Sequence, residues 1–313
     1  MRIGLCAYGV PGRRLLEIAV VADELGFDAL WLGEHIVLPF GYGSVHPTSS
    51  NASHAAAPFR TIIEPDTELL DPWVFLGAVA GATKYLRLAT GIYILPLRHP
   101  LATARAAATL QELSGGRLVL GVGSGWLREE FDALGVPFEQ RAARFSETID
   151  ILRRSWQGGP FAHKGQSFDF DLVQVTPRPV TVPLVLGGNS DRALRRAAQT
   201  GDGWFSSGLP SFDEAVVLHA RLRELRALDP AVDPFRCYVR AEYAAAAHLE
   251  RYQDHEIDDV VFWAHELCPE GADPADALTR AADRLGLTAG PAPSTGFRSA
   301  TPAAARSMRS CST

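Results

Sequence analysis

The chain has 313 residues, of which 47% are hydrophobic, enough to bury a large core. Its formal net charge is −6, and no dense Lys/Arg run or aromatic platform accompanies it, which argues against nucleic acid as the main partner. No run reaches the roughly 18 apolar residues needed to span a bilayer. Cys6, Cys237, Cys268 and Cys311 show neither CxxC nor zinc-type spacing. The chain reads as a soluble cytoplasmic protein with reduced thiols, no bound metal and no membrane partner.

In chain order, Arg2–Ala7 reads as a first buried strand. Leu15, Ile18, Ala19, Ala22 and Leu25 recur at helical spacing, and Gly26 stops that helix. A second strand covers 28–32. The segment 39–69 is rich in Gly, Pro, Ser, Asn and Ala, and a loop of that length is functional or disordered. A helix over 72–83 starts with Asp71 as N-cap and Pro72 in its first position. A strand over 86–92, a helix over 103–113, a strand over 118–122 and a helix over 144–156 follow. The aromatic, Pro-rich stretch 158–179 reads as an excursion with a short hairpin. Strands over 184–186, 203–206, 236–242 and 259–263 then alternate with helices over 190–200, 213–228 and 248–253, and a helix over 274–285 closes the pattern.

Eight strands alternating with helices predict an α/β fold, a closed (β/α)8 TIM barrel, with a long insertion after the second strand and an excursion before the fifth. A single domain over 1–288 follows. The remainder, 289–313, is Ala, Ser, Pro, Thr and Arg without periodicity and reads as a disordered tail.

Such barrels place their sites on the loops after the strands. The strand over 118–122 breaks into a glycine-spaced loop, Gly121, Gly123 and Gly125, where backbone can approach a ligand closely. Gly187, Gly188, Asn189 and Ser190 lie between a strand and a helix. They make either an anion site at a helix start or an ordinary capped terminus. Glu34 and His35 end the second strand, where a histidine either exchanges protons or packs against backbone. Trp126 is a pocket wall or core, and Glu129 and Glu130 suit the dipole of a helix start. His46 and His54 lack companions at ligand spacing. Their loop, with Phe40, Tyr42 and Phe59, is expected to cover the barrel mouth.

Four motifs in order carry a family resemblance: AVVADELGFDALWLGEH (19–35), ATGIYILPLRHP (89–100), LSGGRLVLGVGSGW (113–126) and VPLVLGGNSDRALRRAAQTGDGW (182–204). Together they resemble the luciferase-like flavin and deazaflavin oxidoreductases. LLDPWVFLGAVAGAT and GWLREEFDALGVPFEQRAARFSETIDILRRSW are similar to a subgroup using coenzyme F420. The resemblance implies that His35 faces the reactive ring, with Glu34 orienting it or capping a neighbouring helix. It implies a cofactor phosphate at Gly187, Gly188, Asn189 and Ser190, with Ser124 facing it. Gly123 then leaves room for the tricyclic ring, and Thr90 and Gly91 meet its pyrimidine edge. His99 stands where relatives carry an Asn that contacts the ring, and is expected either to make that contact or to be a helix-start residue.

The implied function is hydride transfer between F420 and a small-molecule organic substrate. One alternative is a monooxygenase using O2 and reduced FMN supplied by a separate flavin reductase; another is a non-catalytic flavin-binding protein. A basic rim from Arg98, Arg128, Lys164 and Arg192 would suit the acidic tail of the deazaflavin. The resemblance also implies a homodimer, joined through helices beside the early strands. The long second loop and 235–270 are expected to form the substrate pocket.

Overall fold

The computed structural model describes residues 1–47, 65–177, 180–228 and 235–287. Its elements are β1 (Arg2–Ala7), α1 (Gly12–Glu24), β2 (Ala29–Leu32), α2 (Pro72–Ala82), β3 (Arg87–Thr90), β4 (Tyr93–Ile94), α3 (Pro100–Leu113), β5 (Leu118–Gly123), α4 (Arg128–Ala133) and α5 (Arg141–Gln157). There follow β6 (Phe161–Lys164), β7 (Asp169–Val173), β8 (Leu184–Gly187), α6 (Asp191–Thr200), β9 (Gly203–Phe205), α7 (Phe212–Leu228), β10 (Arg236–Arg240), α8 (Leu249–Asp254), β11 (Asp259–Trp263), α9 (Ala264–Leu267) and α10 (Pro274–Leu285).

Eight parallel strands pair in the order β3-β2-β1-β11-β10-β9-β8-β5, and β3 pairs with β5 to close the barrel. The expected excursion before the fifth barrel strand is the antiparallel hairpin β6-β7. The long insertion after β2 is described only over its flanks, and its segment 48–64, with His54 and Phe59, lies outside the described residues, as does the expected tail over 289–313.

Local chemistry explains the helix ends. Asp71 caps α2 by accepting from the backbone N–H groups of Trp73 and Val74 at 3.0 Å each, with Pro72 in the first position. In α1, Leu15, Ile18, Ala19 and Ala22 form the buried stripe, and Gly26 leaves the helix at φ +83°. Two boundaries differ from expectation for different reasons. The helix expected over 103–113 begins at Pro100, because the His99 side chain accepts from the Leu101 N–H. The strand expected over 86–92 ends at Thr90 and resumes as β4. There the Ile92 side chain packs over Gly123 and Gly187, so that a Cβ on Gly123 would collide with it. That side chain could not take its place with any larger residue at Gly123.

Two apolar layers result. The larger lies between strands and helices and includes Leu5, Leu30, Leu88, Leu120 and Leu186. The smaller fills the barrel interior with Cys6, Trp31, Phe205, Tyr238 and Val261. The Trp31 ring stacks on Phe205 with centroids 4.5 Å apart and leans on Tyr238 at 4.6 Å. Gly121 lets β5 approach this plug: a Cβ there would run into the Thr90 carbonyl oxygen and stand 3.1 Å from the Trp31 ring.

Below the plug, at the N-terminal ends of the strands, charges interlock. Asp259 accepts from Arg2 at 2.7 and 3.0 Å and from Arg236; Arg87 pairs with Asp28 and donates to the Tyr238 hydroxyl at 3.0 Å. Burial pushes the Asp259 carboxyl upward, and hydrogen bonds from Arg2 and Arg236 more than reverse it, leaving it below its ordinary 3.8.

Candidate active site at the barrel mouth

Above the plug, a cavity of about 630 Å³ opens, a size typical of small-molecule sites. Every barrel strand contributes a residue at or just after its C-terminal end: Tyr8, His35, Gly91, Ser124, Gly187, Ser206, Arg240 and Trp263. Tyr42, His46 and neighbouring residues of the second loop form part of the wall. Glu129 pins that loop by accepting from the Gly43 N–H at 2.7 Å, the Ser44 N–H at 3.2 Å and the Ser44 hydroxyl at 2.7 Å.

His35 lines the cavity, its ring edge-on to Tyr8 and Trp126. Its Nδ1 lies 2.8 Å from Glu130 Oε2, and Oε1 of the same carboxylate accepts from the Ile36 N–H at 2.5 Å. Glu130 is 0% exposed. A buried carboxylate accepting at Nδ1 fixes the proton there and leaves Nε2 as the exchanging nitrogen toward the cavity. Glu34 therefore does not orient His35, contrary to expectation. It is held bidentately by Arg98 at 2.8 and 2.6 Å and accepts from the Ile94 N–H at 2.7 Å. The orienting acid is Glu130, expected only to suit a helix dipole. Sequence distance hid it, since 94 positions separate it from Ile36.

The other expected site residues divide. Gly91, Gly123, Ser124, Gly187 and Gly188 line the cavity with His35 and Glu34. Thr90, His99, Asn189 and Ser190 do not. The Thr90 hydroxyl donates to the Gly121 carbonyl at 2.7 Å, so it is spent on joining β3 to β5 and is not offered to a ring edge. His99 caps α3 and meets the Phe168 ring. The Asn189 side chain donates to the Ser207 carbonyl and accepts from the Ser207 N–H, at 2.9 and 2.8 Å. Ser190 caps α6 through the Ala193 N–H. The Gly188 N–H itself points at the Phe205 carbonyl, 3.4 Å away. What remains for an anion is the first turn of α6, where Asp191 is neutralised by Arg195 and Arg221. Gly123 makes room for Ile92, and both line the cavity.

The basic rim is also redistributed. Arg98 is locked to Glu34 and Arg128 pairs with Glu139 at 2.5 Å, while Arg128 and Arg141 both lie over the Phe138 ring, at 4.4 and 3.7 Å. Burial, with Arg128 and Arg192 nearby, holds Arg141 below its ordinary value. Arg141 thus lies within electrostatic reach of Arg192, in the first turn of α6, and of the Arg128–Glu139 pair. Tyr8, Phe205, Arg240 and Trp263 were not anticipated as site residues. The pattern RCYVR in β10, two arginines four positions apart on one face of a buried strand, was the available signal for Arg240.

A parallel barrel with its site at the strand ends, a glycine-backed wall and a carboxylate-held histidine defines a cofactor-type α/β barrel enzyme architecture. The chain belongs to the luciferase-like monooxygenase family, whose sequence model matches residues 4–266. This is an oxidoreductase family, with the fold of flavin- and F420-type cofactor proteins.

The chain is 30% identical to an uncharacterised protein of Mycobacterium tuberculosis over 248 residues, covering 79% of this chain and 83% of that one. It is 29% identical to a 4-hydroxyprotoasukamycin monooxygenase of Streptomyces nodosus subsp. asukaensis, covering 80% and 63%. It is 28% identical to an F420-dependent glucose-6-phosphate dehydrogenase of Nakamurella multipartita, covering 87% and 75%. Among solved structures, a coenzyme F420 dependent tetrahydromethanopterin reductase from Methanopyrus kandleri superposes with TM-score 0.68 at 16% identity, covering 91% and 98%. A monooxygenase from Streptomyces bottropensis superposes with TM-score 0.58 at 22% identity, covering 90% and 80%. At those identities the likeness concerns the fold.

No helix among the described residues is long and apolar enough to cross a membrane.

Proposed function

We propose that the protein is a flavin-dependent monooxygenase of the luciferase-like type, taking reduced FMN from a separate reductase and a small organic substrate. The observation that carries this reading is the cavity that holds the Nε2 edge of His35 among Tyr8, Trp126 and a pinned loop. The family description and the Streptomyces relative support it. The residues fit such a cofactor. Gly91 and Ile92 offer a backing surface, and the first turn of α6 offers a phosphate end. When bound, the flavin supplies the redox chemistry. The chain's own part is to orient, to exclude water through the loop that Glu129 holds, and to move a proton at His35 Nε2.

A second reading, hydride transfer with F420, is favoured by Arg141 and Arg192 near the start of α6. These cations match an acidic cofactor tail, which FMN lacks. Titrating the protein with FMN and with F420 separates the two. The monooxygenase reading expects saturable FMN binding and product oxygen derived from O2. Tight F420 binding without any FMN response would replace it with the second reading. Retention of His35 on a glycine-backed cavity speaks for catalysis over simple flavin binding.

The same family reading proposes a homodimer through α2 and α3, where Val74 and Leu113 are 76% and 72% exposed. Light scattering after size exclusion tests it.

A further inference from the structure

Arg236, Tyr238 and Arg240 alternate along β10 and are buried on one face of the strand, toward the barrel interior. The two arginines differ in height. Arg236, at the closed end, pairs with Asp259 and lies 3.5 Å from Asp28. Arg240, at the mouth, is 8% exposed and has no ion pair among the described residues. Its guanidinium carbon stands 4.9 Å from the Phe205 ring centre and 4.5 Å from that of Trp263. One terminal nitrogen points at the Gly208 carbonyl at a long 3.4 Å, and the other donates to the neutral Cys6 Sγ at 3.4 Å. Nε is buried with no partner at all.

A guanidinium keeps its charge in a protein, and burying it without a counterion costs several kcal/mol. Such a group is retained at a cavity when a ligand brings the anion. The Tyr8 hydroxyl, on the same cavity, is also buried without a partner. Burial, with Glu130 and Tyr42 nearby, raises its pKa, so it stays a hydrogen-bond donor.

We propose that Arg240 is a substrate-recognition residue, and that the substrate is a small organic carboxylate whose anionic end meets Arg240 in the barrel-mouth cavity. This inference rests on the small-molecule oxidoreductase reading and holds with either cofactor. The cofactor phosphate is the other source of an anion. It is disfavoured because α6 begins after β8, two strands along the wall, and because aromatic faces surround Arg240.

Benzoate and its neutral counterpart benzamide serve as probes, titrated by calorimetry into the protein with and without FMN. The parent should bind benzoate more tightly, on the order of 30-fold or more. Arg240→Met should abolish that preference, and Arg240→Lys should keep part of it. In parallel, FMN and riboflavin are compared in the same proteins, and their affinity ratio should not change. Equal binding of benzoate and benzamide by the parent overturns the proposal. So does a loss in Arg240→Met of FMN affinity with riboflavin unaffected, which would assign the arginine to the phosphate. Should Arg240→Met not fold, Arg240→Lys decides: an unchanged FMN-to-riboflavin ratio with weakened benzoate binding supports the proposal, and the reverse overturns it. Failure of the parent to bind FMN or F420 strikes the oxidoreductase reading instead, and the benzoate preference is read on the cofactor-free protein.

Discussion

Replacing Glu130 by Gln is the sharpest test of how the site is held. The carboxylate accepts two hydrogen bonds, from His35 Nδ1 at 2.8 Å and from the Ile36 N–H at 2.5 Å. A backbone N–H can only donate, so in E130Q the amide oxygen must face Ile36. The amide NH2 then faces Nδ1, which satisfies it only as an acceptor. The substitution therefore moves the ring proton from Nδ1 to Nε2, the nitrogen that faces the cavity. Hydrogen bonds to charged groups contribute about 1.5–3 kcal/mol each, and both become neutral, so a stability loss of about 1–3 kcal/mol is expected. Loss of proton acceptance at Nε2 should lower turnover by about 10²–10⁴. Nitrogen NMR of the His35 imidazole reads the tautomer without any substrate, and thermal denaturation reads the stability. A ring still protonated at Nδ1 in E130Q, together with unchanged turnover, would refute the reasoning.

Three further outcomes are expected. Asp259→Asn should cost about 1.5–3 kcal/mol at neutral pH, because Arg2 and Arg236 lose a charged hydrogen-bond partner while Arg236 keeps Asp28 at 3.5 Å. Because the folded Asp259 pKa lies below its ordinary 3.8, its contribution is complete above that value and disappears as pH falls through the lower folded one. The gap between parent and variant in urea melts should thus narrow below about pH 4. Gly121→Ala should destabilise by about 3 kcal/mol, since the obstacle is the Thr90 carbonyl, while Gly77→Ala in α2 meets nothing and should stabilise by about 0.5–1 kcal/mol; denaturation midpoints compare them. Arg98→Met should cost about 3–5 kcal/mol by stranding the buried Glu34 carboxylate, and a thermal shift no larger than that of an exposed substitution such as Arg105→Met would contradict it.

The barrel was legible because its signals are local. The strands Arg2–Ala7 and Asp259–Trp263 and the helix Pro274–Leu285 follow from apolar runs and a Pro after an N-cap Asp, chemistry contained within a dozen residues. The glycines at 123, 187 and 188 could be placed on the cavity, because barrel loops are known site positions. What each glycine admits could not be read, since Ile92 reaches Gly123 from the link between β3 and β4. The partners of polar groups were hidden for the same reason. Glu34 finds Arg98 and His35 finds Glu130 only after β2, β3 and β5 are brought side by side. Thr90 shows the converse: a hydroxyl at a strand end was expected to serve a ligand, and the neighbouring strand claimed it first.

The stacked Trp31, Phe205 and Tyr238 rings, with the interlocked arginines and aspartates beneath them, turn the barrel into a vessel with one doorway. Anything bound in the cavity therefore rests on that floor and is reached from the side where the strands end, beside the segment that Glu129 holds.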